Sequence, residues 1–308
     1  MASKTSKKRK RKIKRLLKRL GIFGVVLVVV GAIFAYLLSS GLLEEWFSDE
    51  EKKEAVGGTV EFHFIDVGQG DAALIRTEEG NVLIDAGTNA SEEALIAYLK
   101  EEGVKELAYA VFTHPHEDHI GGADAVLEYC KVEKVILPDA TANTKVFERM
   151  MDAIEAEGSD VIMATPDATY KIGDLKLTVL APNASEYKDV NNYSVVIRAN
   201  FGDTSVLFTG DAEDVSEKEM LERYGSGKKL NCDLLKVGHH GSDSSSTEEF
   251  LKAVSPKYAV ISCGEGNDYG HPKQSILKRL EKEEITYWRT DLEGSIVVIS
   301  DGENLKKE

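Results

Sequence analysis

The chain has 308 residues with 38 Lys or Arg, 53 Asp or Glu and 7 His, and its charge is sharply segregated. Eleven basic residues and no acid lie in positions 1–20, whereas 27 basic residues and all 53 acids follow, a formal balance of −26 beyond residue 20. Such a surface repels polyanions on average, which excludes a general high-affinity nucleic-acid clamp; a phosphate-bearing ligand needs local cations or metal.

Residues 20–38 (LGIFGVVLVVVGAIFAYLL) carry no charge. At a helical rise this run spans roughly 28 Å, close to the ~30 Å hydrocarbon core of a bilayer. Basic residues before it and the acids Glu44, Glu45, Asp49, Glu50 and Glu51 after it predict a cytoplasmic N-terminus with everything later outside. A cleaved signal peptide is the alternative, but the run exceeds the usual h-region of about 7–15 residues, and no clear A-x-A site follows. The expected organisation is a basic cytoplasmic tail at 1–20, a single-pass transmembrane anchor at 21–39, a tether at 40–57 and one extracellular domain at 58–303. The tail sets topology and touches anionic lipid.

From Gly58 the pattern alternates between strands and helices. GTVEFHFIDVG, AALIRT and NVLIDAG read as three consecutive strands, with His63, between Phe62 and Phe64, a packed or surface histidine rather than a ligand. SEEALIAYLKEEG has helical spacing, a Ser in N-cap position and a Gly stop. LAYAVFTH is a buried strand running into THPHEDHIGG, and IGGADAVLEYC is the helix after it. KVILP, KLTVLAP, YSVVIRANFG, TSVLFTGD, LLKVG, YAVISCG, ITYWRT and SIVVIS read as further strands. VFERMMDAIEAEG, EDVSEKEMLERYG, STEEFLKAV and PKQSILKRLEKE read as helices. Mixed strand clusters and helices predict an α/β fold with sheets packed face to face and helices outside. Cys130, Cys232 and Cys263 are odd in number and lack metal-site spacing, so no disulfide framework is expected.

Three of the seven histidines fall within residues 114–119. Clustered imidazoles compete for hydrogen-bond partners, and ordinary folding does not ask for them. An H-x-H pair on extended backbone puts His114 and His116 on one side, and a turn swings Asp118 and His119 toward the same point. Imidazole nitrogen and carboxylate oxygen suit zinc and related divalent ions. Gly121 and Gly122 leave room for close approach at the next helix. Asp211, at a strand end in LFTGD, is a plausible ligand position and also a common turn.

HPHEDH resembles the H-x-H-x-D-H signature of the metallo-β-lactamase fold superfamily. Together with DVGQGDAALI (66–75), VLIDAG (82–87), NNYSVVIRANFGDTSVLFTGD (191–211), LLKVGHHGSDSSS (234–246) and YGHP (269–272), it is similar to the exported domain of ComEC-type DNA-uptake proteins and their stand-alone relatives, over roughly residues 58–300. The resemblance implies a four-layer αββα sandwich with a metal site at one edge between the sheets. It implies one or two divalent ions, Zn or Mn, held by His114, His116, Asp118, His119, Asp211 and His240, with Asp211 bridging. Asp118, His239 and His271 are the expected catalytic residues. Adjacent side chains on extended backbone point apart, so one of His239 and His240 binds metal and the other meets substrate, with metal assigned to His240. His271 supplies a proton to the leaving group or bonds a phosphate oxygen. Asn192, Ser242 and Lys236 are expected on the substrate side, and Ser242 could instead stabilise its turn. Asp85 is expected to orient the histidine loop. Asp66, Gln69 and Asp71 are expected near the rim. The superfamily often supplies a third histidine to the metal held by His114 and His116; here no histidine lies between His119 and His239, and Asn191 and Asn192 occupy that stretch. That leaves either a weaker site or an open coordination position.

The expected reaction is metal-dependent phosphodiester hydrolysis of DNA by activated water. A phosphodiesterase for cell-envelope polymers, such as choline esters of teichoic acid, is the enzymatic alternative. A tethered protein that keeps the fold without activity is the non-enzymatic one. β-Lactam hydrolysis fits less well, because the motifs after the histidine cluster do not look like that branch. Beyond the anchor the small basic groups are Lys228, Lys229, Lys236 and Lys273.

Overall fold

The computed structural model describes residues 58–225 and 229–308. The segments expected to be tail, anchor and tether, and Lys228, lie outside the described residues, and no described helix is long and apolar enough to cross a membrane. The first sheet contains β1 (Val60–Phe64), β2 (Ala73–Thr77), β3 (Gly80–Ile84), β4 (Glu106–Val111), β5 (Lys131–Leu137) and β6 (Asp160–Met163). The second contains β7 (Thr169–Ile172), β8 (Leu175–Ala181), β9 (Val196–Phe201), β10 (Thr204–Phe208), β11 (Leu234–Lys236), β12 (Tyr258–Ile261) and β13 (Thr286–Arg289). The chain then returns to the first sheet with β14 (Ile296–Ser300) and β15 (Leu305–Lys307), giving the orders β15-β14-β1-β2-β3-β4-β5-β6 and β13-β12-β11-β10-β9-β8-β7. Because β15 pairs with β14, the domain continues past residue 303, its expected end.

Alternation sorts the side chains into layers. Phe62 and Phe64 of β1, Ile75 of β2 and Ile84 of β3 point between the sheets, where they meet Val206 and Phe208 of β10. The rings of Phe64 and Phe208 stack at 5.6 Å. Leu74 and Leu83, one residue out of phase, point the other way. They meet Leu95 and Leu99 of α1 (Glu92–Glu101), Val126 of α3 (Ala123–Tyr129), and Met150 and Ile154 of α4 (Lys145–Glu157). Outside the second sheet, Leu207 and Leu235 meet Met220 of α5 (Asp214–Tyr224), Phe250 of α6 (Glu248–Val254) and Ile276 of α7 (Gln274–Lys282). Helices therefore cover the outer face of each sheet, as expected.

Two short α-helices, α2 (Glu117–Ile120) and α8 (Thr290–Glu293), and three 3₁₀ turns at Asn89–Ser91, Val190–Tyr193 and Gly238–Gly241 complete the described elements. Ser91 does occupy the N-cap of α1, but its hydroxyl turns back to the carbonyl of Thr88. His63 is a packed histidine: its ring bonds the Tyr98 hydroxyl at 2.8 Å and faces Glu61 at 3.2 Å. Arg76 bridges Glu61 and Glu102 beside it, at 2.7 and 2.8 Å, so these acids are charge-paired. Cys130, Cys232 and Cys263 are buried free thiols.

Strands β3 to β6 run parallel, as do β10 to β13. Parallel strands deliver their carboxyl ends to one edge. Asp85 follows β3, His114 follows β4, Asp211 follows β10, and His239 and His240 follow β11. Four chain segments far apart in sequence thus reach one place.

Candidate metal centre

His114, His119, Asp211 and His240 are all buried, while His116 is exposed at the mouth. One ligand atom each from Asp118, His119, Asp211 and His240 falls within 4.8 Å of all the others. His119 Nε2 lies 3.2 Å from Asp211 Oδ1, and His240 Nε2 lies 3.3 Å from Asp118 Oδ2 and 3.6 Å from Asp211 Oδ2. His114 Nε2 stands 3.0 Å from His116 Nδ1 and 4.0 Å from Asp211 Oδ2. Asp211 therefore faces both groups, the position of a bridging carboxylate.

The far nitrogens explain the orientation. His119 Nδ1 donates to Asp85 Oδ2 at 2.7 Å, and His240 Nδ1 donates to the Ser262 carbonyl at 3.1 Å. In the neutral ring each bond fixes the tautomer whose lone pair sits on Nε2, facing the cluster. Asp85 also accepts from the amide and hydroxyl of Thr113, at 2.7 and 2.8 Å, which ties the residue before His114 to the same carboxylate. Glycine makes room here. A Cβ on Gly70 would sit 2.5 Å from the Asp118 carbonyl, and one on Gly121 would sit 2.2 Å from the Asn89 amide.

His239 and His240 adopt left-handed backbone, with φ of 49° and 53°. Such conformations cost roughly 1–3 kcal/mol each in non-glycine residues and persist where the surroundings over-determine them. On extended backbone the two side chains would point apart. In this turn both reach Asp211 Oδ2, each through Nε2 at 3.6 Å. His239 stays partly exposed, its Nδ1 held near Ser244 Oγ at 3.1 Å and Glu213 Oε1 at 3.4 Å.

Burial opposes ionisation of Asp211, but the imidazoles of His119, His240 and His114 reverse this and hold it well below the usual carboxylate range. Burial likewise opposes protonation of His240, yet Asp211 and Asp71 outweigh it and push the imidazole up to about 10. The free protein thus stores at least one proton where a metal ligand needs a lone pair. Below about pH 10 that proton competes with metal, so apparent affinity should rise with pH through the neutral range. Zinc titration calorimetry at pH 7 in buffers of different ionisation heat should report about one to two protons released per loaded chain. Release of none would contradict this electrostatic picture.

The donor set fits a divalent cation. His119 Nε2, His240 Nε2 and Asp211 Oδ1 are buried with no hydrogen-bond partner, a costly arrangement that a cation relieves. Asp211 and His240, with Asp118, line a cavity of about 530 Å³ whose walls also include Gln69, His116, Asn191, His239, Tyr269 and His271. Another cavity, of about 700 Å³, lies among Glu78, Glu79, Glu106 and Glu133 and gathers no histidine.

Three expected substrate contacts are placed elsewhere. Lys236 is 3 % exposed and ion-paired with Asp71, which in turn faces His240 Nδ1 at 3.4 Å, so it lies beneath the centre. Asn192 is also 3 % exposed; its Oδ1 accepts from the amides of Glu213 and Ser216 at the start of α5. Ser242 is buried, and its hydroxyl bonds Ser244 Oγ at 2.9 Å, serving the turn. Gln69 reaches the rim as expected, whereas Asp66 accepts from the Gly68 amide. Lys229 pairs with Asp167, and Lys273 donates to the Tyr269 carbonyl. Glu213 is the network residue that the sequence did not reveal, holding Asn191, Asn192 and His239. Nothing in GDAED distinguishes it from a solvated acid.

A two-sheet α/β sandwich with this histidine and aspartate convergence defines the class. Residues 65–265 match the model of the metallo-beta-lactamase superfamily, and the chain belongs to that superfamily of metal-dependent hydrolases. Among curated relatives, ComE operon protein 3 of Bacillus subtilis (strain 168) is 34% identical, covering 77% of this chain and 32% of its own length. Competence protein ComA of Neisseria gonorrhoeae is 32% identical over 75% of this chain and 31% of its own. Recombination protein 2 of Haemophilus influenzae is 31% identical over 76% and 28%. These are ComEC-type competence proteins, and the chain spans about a third of their length. The fold is shared with the metallo-beta-lactamase fold protein YhfI from Bacillus subtilis, at TM-score 0.52 and 13% identity over 78% of this chain and 99% of that one. It is also shared with CmlA, a diiron β-hydroxylase from Streptomyces venezuelae, at TM-score 0.53 and 14% identity over 82% and 55%.

Proposed function

We propose that the chain is a membrane-anchored, extracellular phosphodiesterase that cleaves DNA strands. The observation that carries this reading is the convergence of Asp118, His119, Asp211 and His240 beside an open cavity that Asp118, Asp211 and His240 line. A divalent cation bound there, Zn or Mn, would polarise a phosphoryl oxygen and make water acidic enough to attack at neutral pH. The protein's own share is placement. Asp85 and Ser262 aim the two buried imidazoles, and His239 at the mouth meets the substrate. His271 is pushed down to about 4 by burial first and then by His239, His240 and Lys273. It is therefore neutral at pH 7 and suits a hydrogen bond to a phosphate oxygen better than proton donation to the leaving group.

The kinship with competence proteins supports DNA as substrate. So does Tyr269, which is 64 % exposed at the cavity mouth with its ring lying 5.7 Å from that of His271, nearly parallel. A flat aromatic surface beside the scissile position favours an unpaired base over a duplex. The acidic surface points to weak binding driven by the metal. The anchor rests on the charge-flanked apolar run at 20–38.

With Mn²⁺ or Zn²⁺ supplied, the protein should hydrolyse bis(p-nitrophenyl) phosphate and degrade single-stranded DNA faster than duplex. Cleavage of wall teichoic polymer with DNA left intact would move the substrate to the cell envelope. Bound metal without turnover on any of them would make the chain a binding protein.

A further inference from the structure

The group formed by Asp118, His119, Asp211 and His240 offers four ligands. His114, His116 and Asp211 make a second group of three donors, where a zinc-type ion takes four. Asn191 lines the same cavity and is 6 % exposed. Its amide orientation is set by Nδ2, which donates to Glu213 Oε1 at 3.3 Å. Glu213 is itself held by Asn192 Nδ2 at 3.2 Å and faces His239 Nδ1. The carbonyl end of Asn191 is left over. Its Oδ1 is buried without a hydrogen-bond partner, the same condition as His119 Nε2, Asp211 Oδ1 and His240 Nε2. The segment is also locked to the right side of the centre. The Ser194 amide donates to the Asn191 carbonyl, while Ser194 Oγ lies 3.3 Å from His114 Nδ1 and accepts from the Asp211 amide at 3.0 Å.

We propose that Asn191 Oδ1 is the fourth ligand of a cation held by His114, His116 and Asp211. A neutral oxygen there makes this position the weaker and more exchangeable of two, since imidazole suits zinc better than an amide oxygen does. The inference rests on the metal reading of the centre and deepens it.

The test uses the full chain, stripped of metal and titrated with Zn²⁺ by calorimetry and with Co²⁺ by visible absorption. Wild type should show two unequal sites. Asn191→Ala should weaken the weaker site by at least about tenfold and leave the stronger unchanged. Asn191→His should tighten the weaker site and intensify its Co²⁺ absorption, whereas a residue that merely packs against Glu213 would give a weaker site. Matched melting of the metal-free variants separates ligand loss from misfolding. Two wild-type affinities in Asn191→Ala, a weakened site in Asn191→His, or loss of the weaker site in His239→Ala alone would overturn the assignment while leaving the metal centre standing. A wild-type chain that takes up no metal would overturn both.

Discussion

Asp211→Ala is expected to slow hydrolysis of an activated phosphodiester by at least about a thousandfold, equivalent to roughly 4 kcal/mol of transition-state stabilisation. The reason is position. This carboxylate is the acid that lies within 4.0 Å of His114, His119, His239 and His240 at once. No other described acid faces both halves of the centre in this way. Its loss removes a ligand from each half and the negative charge that offsets the cation. The domain should remain folded, because the hydrophobic layers are built without it and the imidazoles it charged can shed their protons. Circular dichroism and bound-metal content, measured alongside the rate, would check this. Wild-type turnover in the variant would remove Asp211 from the mechanism.

Lys236→Ala is expected to destabilise the domain by about 3–5 kcal/mol, the cost of stranding one member of a buried ion pair. Burial resists ionisation of Asp71, but Lys236 and then His240 overcome it and push the carboxyl down to about 2. A carboxyl whose folded value lies below its ordinary 3.8 contributes stability above that pH and loses it as pH falls toward about 2. Without Lys236 this acid-range contribution shrinks, so the variant should also melt with a flatter dependence on pH between about 4 and 2. Denaturant midpoints across that range read both effects. Because Lys236 lies under the centre, KM should change less than stability does. An unchanged midpoint with a raised KM would return Lys236 to the substrate side.

Much of this was legible in the sequence because alternation and spacing are local signals. The strands around VEFHF, ALIRT and TSVLF are buried on both faces or nearly so, and their apolar pattern is plain. The three strands that the pattern did not mark, β6, β7 and β15, all lie at sheet edges. Of these edge strands DVIM is largely exposed, and TYKI and LKK carry one buried residue between them, so their residues need not alternate cleanly. The histidine cluster was legible for the opposite reason: its crowding has no use in a simple core. Burial was not. Lys236 in LLKV reads as a basic group near the site, and only the pairing of β10 with β11 shows that it points inward to Asp71. Asn192 and Ser242 likewise sit beside functional residues in sequence while their polar atoms serve a helix start and a turn. The paired histidines show a further limit. Extended backbone would separate them, and the left-handed turn that brings both to Asp211 leaves no mark in GHHG beyond its glycines.

The proposed chemistry requires a cation at the point where four chain segments meet. Diffraction from crystals grown with Zn²⁺, recorded on either side of the zinc absorption edge, locates that ion directly. An anomalous peak bounded by Asp118, His119, Asp211 and His240 is the predicted result. A protein saturated with zinc that shows its peaks elsewhere and none among these side chains would contradict it.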